Sequence, residues 1–210
     1  MRMPSPPPRD PIPVLTELPL VIDTPRLQLR PQRASDAEAL FRYTSDPMLT
    51  PYVTWATHRD IEETRTWLRD AKTRLDAGTH MVWTIEHAGE PCGAISLLGI
   101  TWAVRAVRWD RAELGFWIGV PHWRKGLMTE AATAVTRWAF ETLGLHRVTV
   151  GCIAENIGSR RVIEKLGFRF LCKQDEDAWK DGRWLDHLRY ELTVSEWADS
   201  TRTLRFTRPA

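Results

Sequence analysis

Apolar residues recur along this chain in two rhythms, one of strands and one of helices. Met81 to His87 and Gly93 to Ile100 are strand-like runs flanking Ala88-Gly89-Glu90-Pro91, which predicts a hairpin. Further strand-like runs lie at Arg26 to Arg30, Ala112 to Ile118, Arg147 to Cys152, Phe168 to Cys172 and Leu188 to Leu192. Between them the period lengthens. Ile61, Thr64, Leu68, Ala71 and Leu75 line one face of a helix that opens near Thr57, where Thr57 and Asp60 have capping-box spacing, and stops at Gly78. Ala131, Ala132, Val135, Trp138 and Ala139 predict a helix from about Thr129 to Leu143, with Gly144 as its stop. Ser35-Asp36-Ala37-Glu38 opens another as a capping box. The pattern is that of one α/β or α+β domain around a mixed sheet, with no internal repeat and no second-domain linker.

Composition narrows the class. With 210 residues and 43% hydrophobic content the chain can bury a substantial core, and no apolar run approaches the roughly twenty residues that cross a bilayer. A cytoplasmic protein without membrane partners is expected. The proline-rich start, Met1 to Pro11, has no signal-peptide core and favours an extended backbone, so residues 1–20 are expected to be mobile, 21–198 to form the domain and 199–210 a tail. Cys92, Cys152 and Cys172 show no CxxC spacing and read as reduced thiols packed as small apolar groups, with no metal site. A net charge of +2 is too balanced for direct nucleic-acid binding.

Charge becomes informative at one place. Trp123-Arg124-Lys125-Gly126-Leu127-Met128-Thr129 joins the strand ending at Ile118 to the Thr129 helix. At a helix start the first backbone N–H groups lack intrahelical partners and the dipole is positive, so this turn reads as an anion cradle, with Arg124 and Lys125 adding full charges. Gly126 lets the backbone approach the anion closely. Such a turn alone is a weak signal, since many solvated loops carry Arg-Lys beside Gly.

A second motif lies some thirty residues on: Asn156, Ser159 and then Lys165-Leu166-Gly167-Phe168. Together the two resemble the GNAT superfamily of acyl-CoA-dependent N-acyltransferases, whose phosphate loop reads Q/R-x-x-G-x-G/A and whose later helix reads N-x-x-S-(x)n-K-L-G-F. Within it, Thr24 to Leu27, Ala112 to Ile118, Lys125 to Ala131, Leu145-His146-Arg147 and Asp181 to His187 are similar to the Rim-type ribosomal-protein N-acetyltransferases. Trp123 stands where the loop often has Gln or Arg, Arg124 replaces a frequent Gly, and Met128 fills the last small position. Cys172-Lys173 stands where relatives often read Glu-Gly, so no role is carried over from that Glu.

The resemblance implies a mostly antiparallel twisted sheet flanked by helices, with a cofactor cleft between two diverging central strands. Acetyl-CoA is then the co-substrate, and no metal is needed. Its pantetheine would pair with the Phe116 to Val120 edge, including Trp117 and Ile118, and its pyrophosphate with Arg124 to Thr129. Asn156 would contact the cofactor arm, and Ser159, which on residue grounds could simply cap its helix, would stand near the sulfur. Arg160 or Arg161 could meet the 3′-phosphate, although a solvated helix face explains both.

Glu113 is the first choice of general base, with a structural ion pair as the plain alternative. Asp186 and His187 come next, on a segment similar to the substrate-side loop that also carries Trp184. His122 and His146 read as packing residues, Trp67 and Trp138 as core, and Trp55, Trp102, Trp109 and Trp184 as possible acceptor walls. The acceptor is expected to be a protein N-terminus, such as that of a ribosomal protein. A small amine is the alternative, and a catalytically silent acyl-CoA-binding ribosome-assembly factor a third. Monomer and homodimer both remain open.

Overall fold

The computed structural model describes residues 5–199, so residues 1–4 and nearly all of the expected tail lie outside the described residues. An eight-stranded sheet runs through the molecule in the order β1-β2-β3-β4-β5-β6-β8-β7. Its strands are β1 (Ile22–Asp23), β2 (Leu27–Pro31), β3 (Met81–His87), β4 (Glu90–Val104), β5 (Val107–Ile118), β6 (Arg147–Ile153), β7 (Arg169–Lys180) and β8 (Arg183–Thr193). Every neighbouring pair is antiparallel except β5 and β6.

The helices α1 (Ala37–Thr44) and α2 (Ile61–Asp76) cover one face of β3 and β4, around Leu40, Leu68, Ala94 and Trp117. The helices α3 (Leu127–Trp138) and α4 (Ile157–Lys165) cover the other face, over a larger core in which Trp83 meets Trp138 edge-on at 5.1 Å. Both indoles are buried, and a buried N–H needs an acceptor. The N-terminal segment supplies it: Trp83 Nε1 donates to the Leu20 carbonyl at 2.7 Å and Trp138 Nε1 to that of Pro19 at 2.8 Å. Leu15 is buried, and Leu18 and Leu20 pack half-buried against the same core.

Several boundaries differ from the sequence pattern for local reasons. The Ala88-Gly89 hairpin forms with both residues at positive φ, as a tight two-residue turn requires. A second hairpin, joining β4 to β5, lengthens both strands past the expected ends. So does Asp181-Gly182 between β7 and β8, whose φ values of 50° and 82° make the segment expected as a loop into a turn and strand. β7 starts where expected but runs on past Cys172 to Lys180, a stretch the pattern missed because the edge strand is exposed along most of its length, and Cys172 is exposed there rather than packed. Cys92 and Cys152 are buried, and burial pushes their thiols up to about 12 and about 11.

Neither expected capping box forms. Asp60, not Thr57, caps α2, accepting from the Glu62 N–H at 2.9 Å. Asp36 is drawn instead into a buried network, where it accepts a fork from Arg30 at 2.7 and 2.9 Å, the Thr84 hydroxyl at 2.7 Å and the Arg33 N–H at 2.9 Å. Burial works to raise its pKa and is outweighed by those donors, so the carboxyl sits below its ordinary range. A depressed carboxylate pKa adds stability that is present at neutral pH and lost as pH falls through the folded-state value.

Asp36→Ala leaves the Arg30 charge buried with Glu86 as its remaining carboxylate partner. Removing one member of such a pair costs about 3–5 kcal/mol. Urea unfolding of this variant at pH 7 should show that loss, and the difference from wild type should shrink in acid.

Candidate active site

The parallel ladder between β5 and β6 runs only from Arg111↔Arg147 to Leu114↔Val150. Beyond it β5 continues to Ile118 and β6 to Ile153 without pairing to each other. The Gly119 N–H donates to the Cys92 carbonyl on the β4 side at 2.8 Å. By strand alternation Trp117 turns its backbone the same way, while Phe116 and Ile118 direct theirs into the gap. The Ile118 carbonyl is already met there, by Trp123 Nε1 at 2.8 Å.

At one end of the gap stands the basic turn. α3 begins at Leu127, two residues before the expected start, because Gly126 takes the left-handed conformation at φ 75° as N-cap. Its first internal bond runs from the Glu130 N–H to the Gly126 carbonyl at 3.1 Å, which leaves the N–H groups of Leu127, Met128 and Thr129 without intrahelical acceptors. The side chains of Leu127 and Met128 are buried, so only their backbones are offered, whereas Arg124 and Lys125 are exposed. A Cβ placed on Gly126 would find nothing closer than Arg26 Nη2 at 3.6 Å, so the space over the turn is open. Arg26 braces the turn from behind. It donates to the Lys125 carbonyl at 2.9 Å and to Glu130, which also accepts from Thr24 at 2.7 Å.

At the other end lies a cavity of about 330 Å³. Its walls come from β5 (Glu113 to Trp117), β6 (Gly151 to Ile153), α2 (Trp67, Asp70, Ala71, Arg74), the loop Tyr52 to Trp55, and Ser159 and His187. Trp55 and Trp67 meet Trp117 at 5.8 and 6.1 Å between ring centres. Trp117 thus contributes an aromatic wall, its backbone being turned to β4. Trp102 packs on the main core, Trp109 lies under the Arg111 guanidinium, and Trp184 sits exposed against Trp179 on the far face of the β7–β8 hairpin. Of the four candidate tryptophan walls, only Trp55 lines the cavity.

The candidate catalytic residues separate in the same way. Glu113 is half exposed on the cavity wall, 3.6 Å from Arg189 Nη1. His187 is mostly buried on the opposite wall, its Nδ1 2.9 Å from Asp177 Oδ2, which also accepts from Arg189 at 3.0 Å. Bonding to His187 first, and the nearby Arg189, hold the Asp177 carboxyl below its ordinary range. A carboxylate only accepts, so Nδ1 is the donor in this pair and Nε2 is the ring nitrogen left for other partners. Asp186 faces elsewhere, into an ion pair with Lys173 at 2.7 Å that holds its pKa down, and does not line the cavity.

Asn156, not Ser159, caps α4. Its Oδ1 accepts from the Ser159 N–H at 2.9 Å and its Nδ2 donates to the Tyr52 carbonyl at 3.3 Å. That leaves the Ser159 hydroxyl on the cavity wall free of the capping task. Arg160 is exposed and paired with Glu164 one turn on, and Arg161 is exposed. His122 packs edge-on against Tyr43 at 5.9 Å, beneath the basic turn.

Residues 26–169 match the model of the acetyltransferase (GNAT) domain family, more than half of the chain. The chain belongs to the GNAT family. Among its relatives, the uncharacterized N-acetyltransferase YoaA of Bacillus subtilis (strain 168) is 29% identical over 151 residues, covering 71% of this chain and 82% of that protein. The [ribosomal protein uS5]-alanine N-acetyltransferase of Escherichia coli (strain K12) is 34% identical over 84 residues, 40% of this chain and 43% of that one. The solved structure of RimL, a ribosomal L7/L12 alpha-N-protein acetyltransferase in complex with coenzyme A, superposes with a TM-score of 0.74 at 19% identity. It covers 84% of this chain and 99% of its own. The chain is therefore a GNAT N-acetyltransferase, and its parted β5 and β6 form the cleft expected of that fold.

Several parts of this GNAT site went unread in the sequence. The α2 wall had a signal, since Trp67, Ala71 and Arg74 share a helical face with the apolar stripe. The brace of Thr24 and Arg26 on Glu130, and the engagement of His187 by Asp177, join residues too distant in sequence for any local pattern.

Gly126→Trp fills the open space above the turn and puts a side chain on a left-handed backbone at φ 75° that glycine adopts without strain. Acetyl-CoA should raise the melting temperature of the wild type by mass action and leave that of the variant unchanged. An equal shift in both would move the anion site away from this helix start.

Proposed function

We propose that this enzyme transfers an acetyl group from acetyl-CoA to the N-terminal α-amine of a protein. The observation that carries the reading is the unpaired stretch of β5 and β6, open between a helix-start cradle at one end and an amine-sized aromatic cavity at the other. The residues fit acetyl-CoA. The N–H groups of Gly126 to Thr129, with Arg124 and Lys125, would hold the pyrophosphate, and the gap-facing backbone of Phe116 would pair with the pantetheine arm. Ile118 would do so only by sharing or releasing the Trp123 indole. Asn156 keeps α4 in position rather than reaching out itself.

Acetyl-CoA, when bound, supplies the thioester carbonyl that the amine attacks directly. Glu113 on β5 is the proton acceptor on one cavity wall, and the Nε2 of His187 is the second acceptor, on the other. The Ser159 hydroxyl is the O–H donor available to the departing thiolate. A coenzyme thiol with a pKa near that of cysteine, about 8.5, needs little proton transfer at departure, so a hydroxyl suffices.

A protein α-amine is favoured over a polyamine because the wall mixes Asp70 and Glu113 with Arg74, His80 and His187, which is not the acidic pocket that a polycation would need. Burial holds His80 below the ordinary histidine range, which further limits competition for a proton at neutral pH. An α-amine titrates near 7.7–8.0 and lysine near 10.4, so at pH 7 the α-amine is neutral several hundredfold more often, by roughly the ratio of those constants. A modest base then serves an N-terminus but not a lysine. The relatives that act on ribosomal-protein N-termini support the same acceptor class, and a cytoplasmic setting follows from it.

Glu113→Gln and Ser159→Ala should each lower kcat by roughly tenfold to a thousandfold, with acetyl-CoA affinity nearly unchanged by calorimetry. Wild-type turnover in Glu113→Gln would pass the base role to His187.

A peptide with a free N-terminal Ala or Ser and one internal lysine separates the acceptor classes. Fragmentation mass spectrometry should place the acetyl group on the α-amine. Acetyl mainly on the lysine, or on neither amine while a small amine is acetylated well, would sink the N-terminal reading.

A further inference from the structure

The β7–β8 hairpin ends in a charge pattern that its own fold does not explain. Lys180 and Arg183 are direct cross-strand partners flanking the Asp181-Gly182 turn, and like charges so placed repel. Each is drawn to a different neighbouring segment. Arg183 forks onto Glu155, just before α4, with both contacts at 2.7 Å. Lys180 reaches the loop between α1 and α2, where its Nζ lies 2.6, 2.5 and 2.8 Å from the carbonyl oxygens of Thr50, Val53 and Trp55. An ammonium has three N–H donors, and all three are used on three carbonyls of one short loop.

That loop is the cavity wall carrying Tyr52, Val53 and Trp55. Its other side-chain ties are the Thr50–Thr57 hydroxyl pair at 2.6 Å, the Asn156 amide on the Tyr52 carbonyl at 3.3 Å and the ring contacts of Trp55 with His58 and Trp117, so Lys180 alone grips three of its carbonyls. Thr50–Tyr52 is a single turn of 3-10 helix closed by one long backbone bond, Val53 N–H to the Thr50 carbonyl at 3.3 Å, and Pro51 offers no donor. Trp55 touches Trp117, so a shift of its backbone would move the aromatic wall of the cavity directly.

We propose that Lys180 is a positioning residue that sets the acceptor aperture, gripping the 50–55 loop from the hairpin tip so that Trp55 stays against Trp117. It touches neither the cradle nor the parted strands, so its influence falls on the acceptor and not on acetyl-CoA. This rests on the acetyltransferase reading above but not on which amine is acetylated.

The test is steady-state kinetics of Lys180→Met and Lys180→Arg with both a peptide N-terminus and a small primary amine as acceptors. Failure of the N-terminal reading is then visible in the wild type alone, and the clamp is scored on whichever acceptor the wild type uses. Lys180→Met should raise the acceptor KM by about tenfold, the order expected when charge-assisted hydrogen bonds are lost, with kcat and the acetyl-CoA KM within about twofold of wild type. Lys180→Arg, which keeps a multivalent cation, should recover most of the loss. Hydrogen exchange should quicken in residues 50–57 of Lys180→Met and stay unchanged at the start of α3. An unchanged acceptor KM would overturn the proposal, and so would a parallel loss of kcat and acetyl-CoA affinity, which would mark a general scaffold role. Should Lys180→Met fail to fold, Lys180→Gln, which keeps an N–H donor without the charge, is read against the same outcomes.

Discussion

Everything functional in this molecule depends on the four-pair parallel ladder between β5 and β6. An antiparallel pair could have zipped to its ends. A parallel pair joined through a crossover helix has no hairpin to hold its far ends together, and here the strands part after Leu114 and Val150. The parting exposes strand backbone that is neither solvated loop nor satisfied sheet, which suits a ligand carrying amides of its own. Because α3 is the crossover between these two strands, its N-terminus necessarily opens beside the gap. Cradle and cleft are thus two results of one connection.

Charge is arranged around this gap in two separate systems. Around the cradle, Glu130 is occupied by Thr24 and Arg26, which leaves the positive side chains of Arg124 and Lys125 unneutralised by that first-turn carboxylate. Burial raises the Glu130 pKa and the bonds from Thr24 and Arg26 lower it by more, so it remains an anion committed to its brace. Around the cavity, Glu113, Arg189, Asp177 and His187 form a connected chain of charge along β5, β8 and β7.

The basic turn at the start of α3 was legible in the sequence because a helix start, a glycine and two cations are adjacent along the chain. So were the hairpin at Ala88-Gly89 and the helix stop at Gly144, where a positive φ at 84° marks the end. The strand β7 was legible only as far as Cys172, since beyond it an exposed edge strand has no apolar alternation to display. Residue roles fared worst where two distant segments meet. Asp186 and His187 are neighbours in sequence, yet strand alternation sends one to Lys173 and the other to the cavity. Trp184 looked like a wall residue until the Asp181-Gly182 turn placed it on the opposite face from Lys180.

The same edge strand bears on how the protein behaves at high concentration. β7 leaves its outer side unpaired and exposes Phe170 and Leu171, the combination through which sheets recruit further copies and aggregate. Its register against β8 slips between Phe170 and Cys172 and again between Gln174 and Ala178, with Glu176 at a φ of 51°. Each slip breaks the row of backbone donors and acceptors that another strand would read. Lys173, Asp175, Glu176 and Asp177 add charge between the slips. A strand arriving from solution finds only short stretches of straight edge, so the irregular register of β7 protects the sheet from growing.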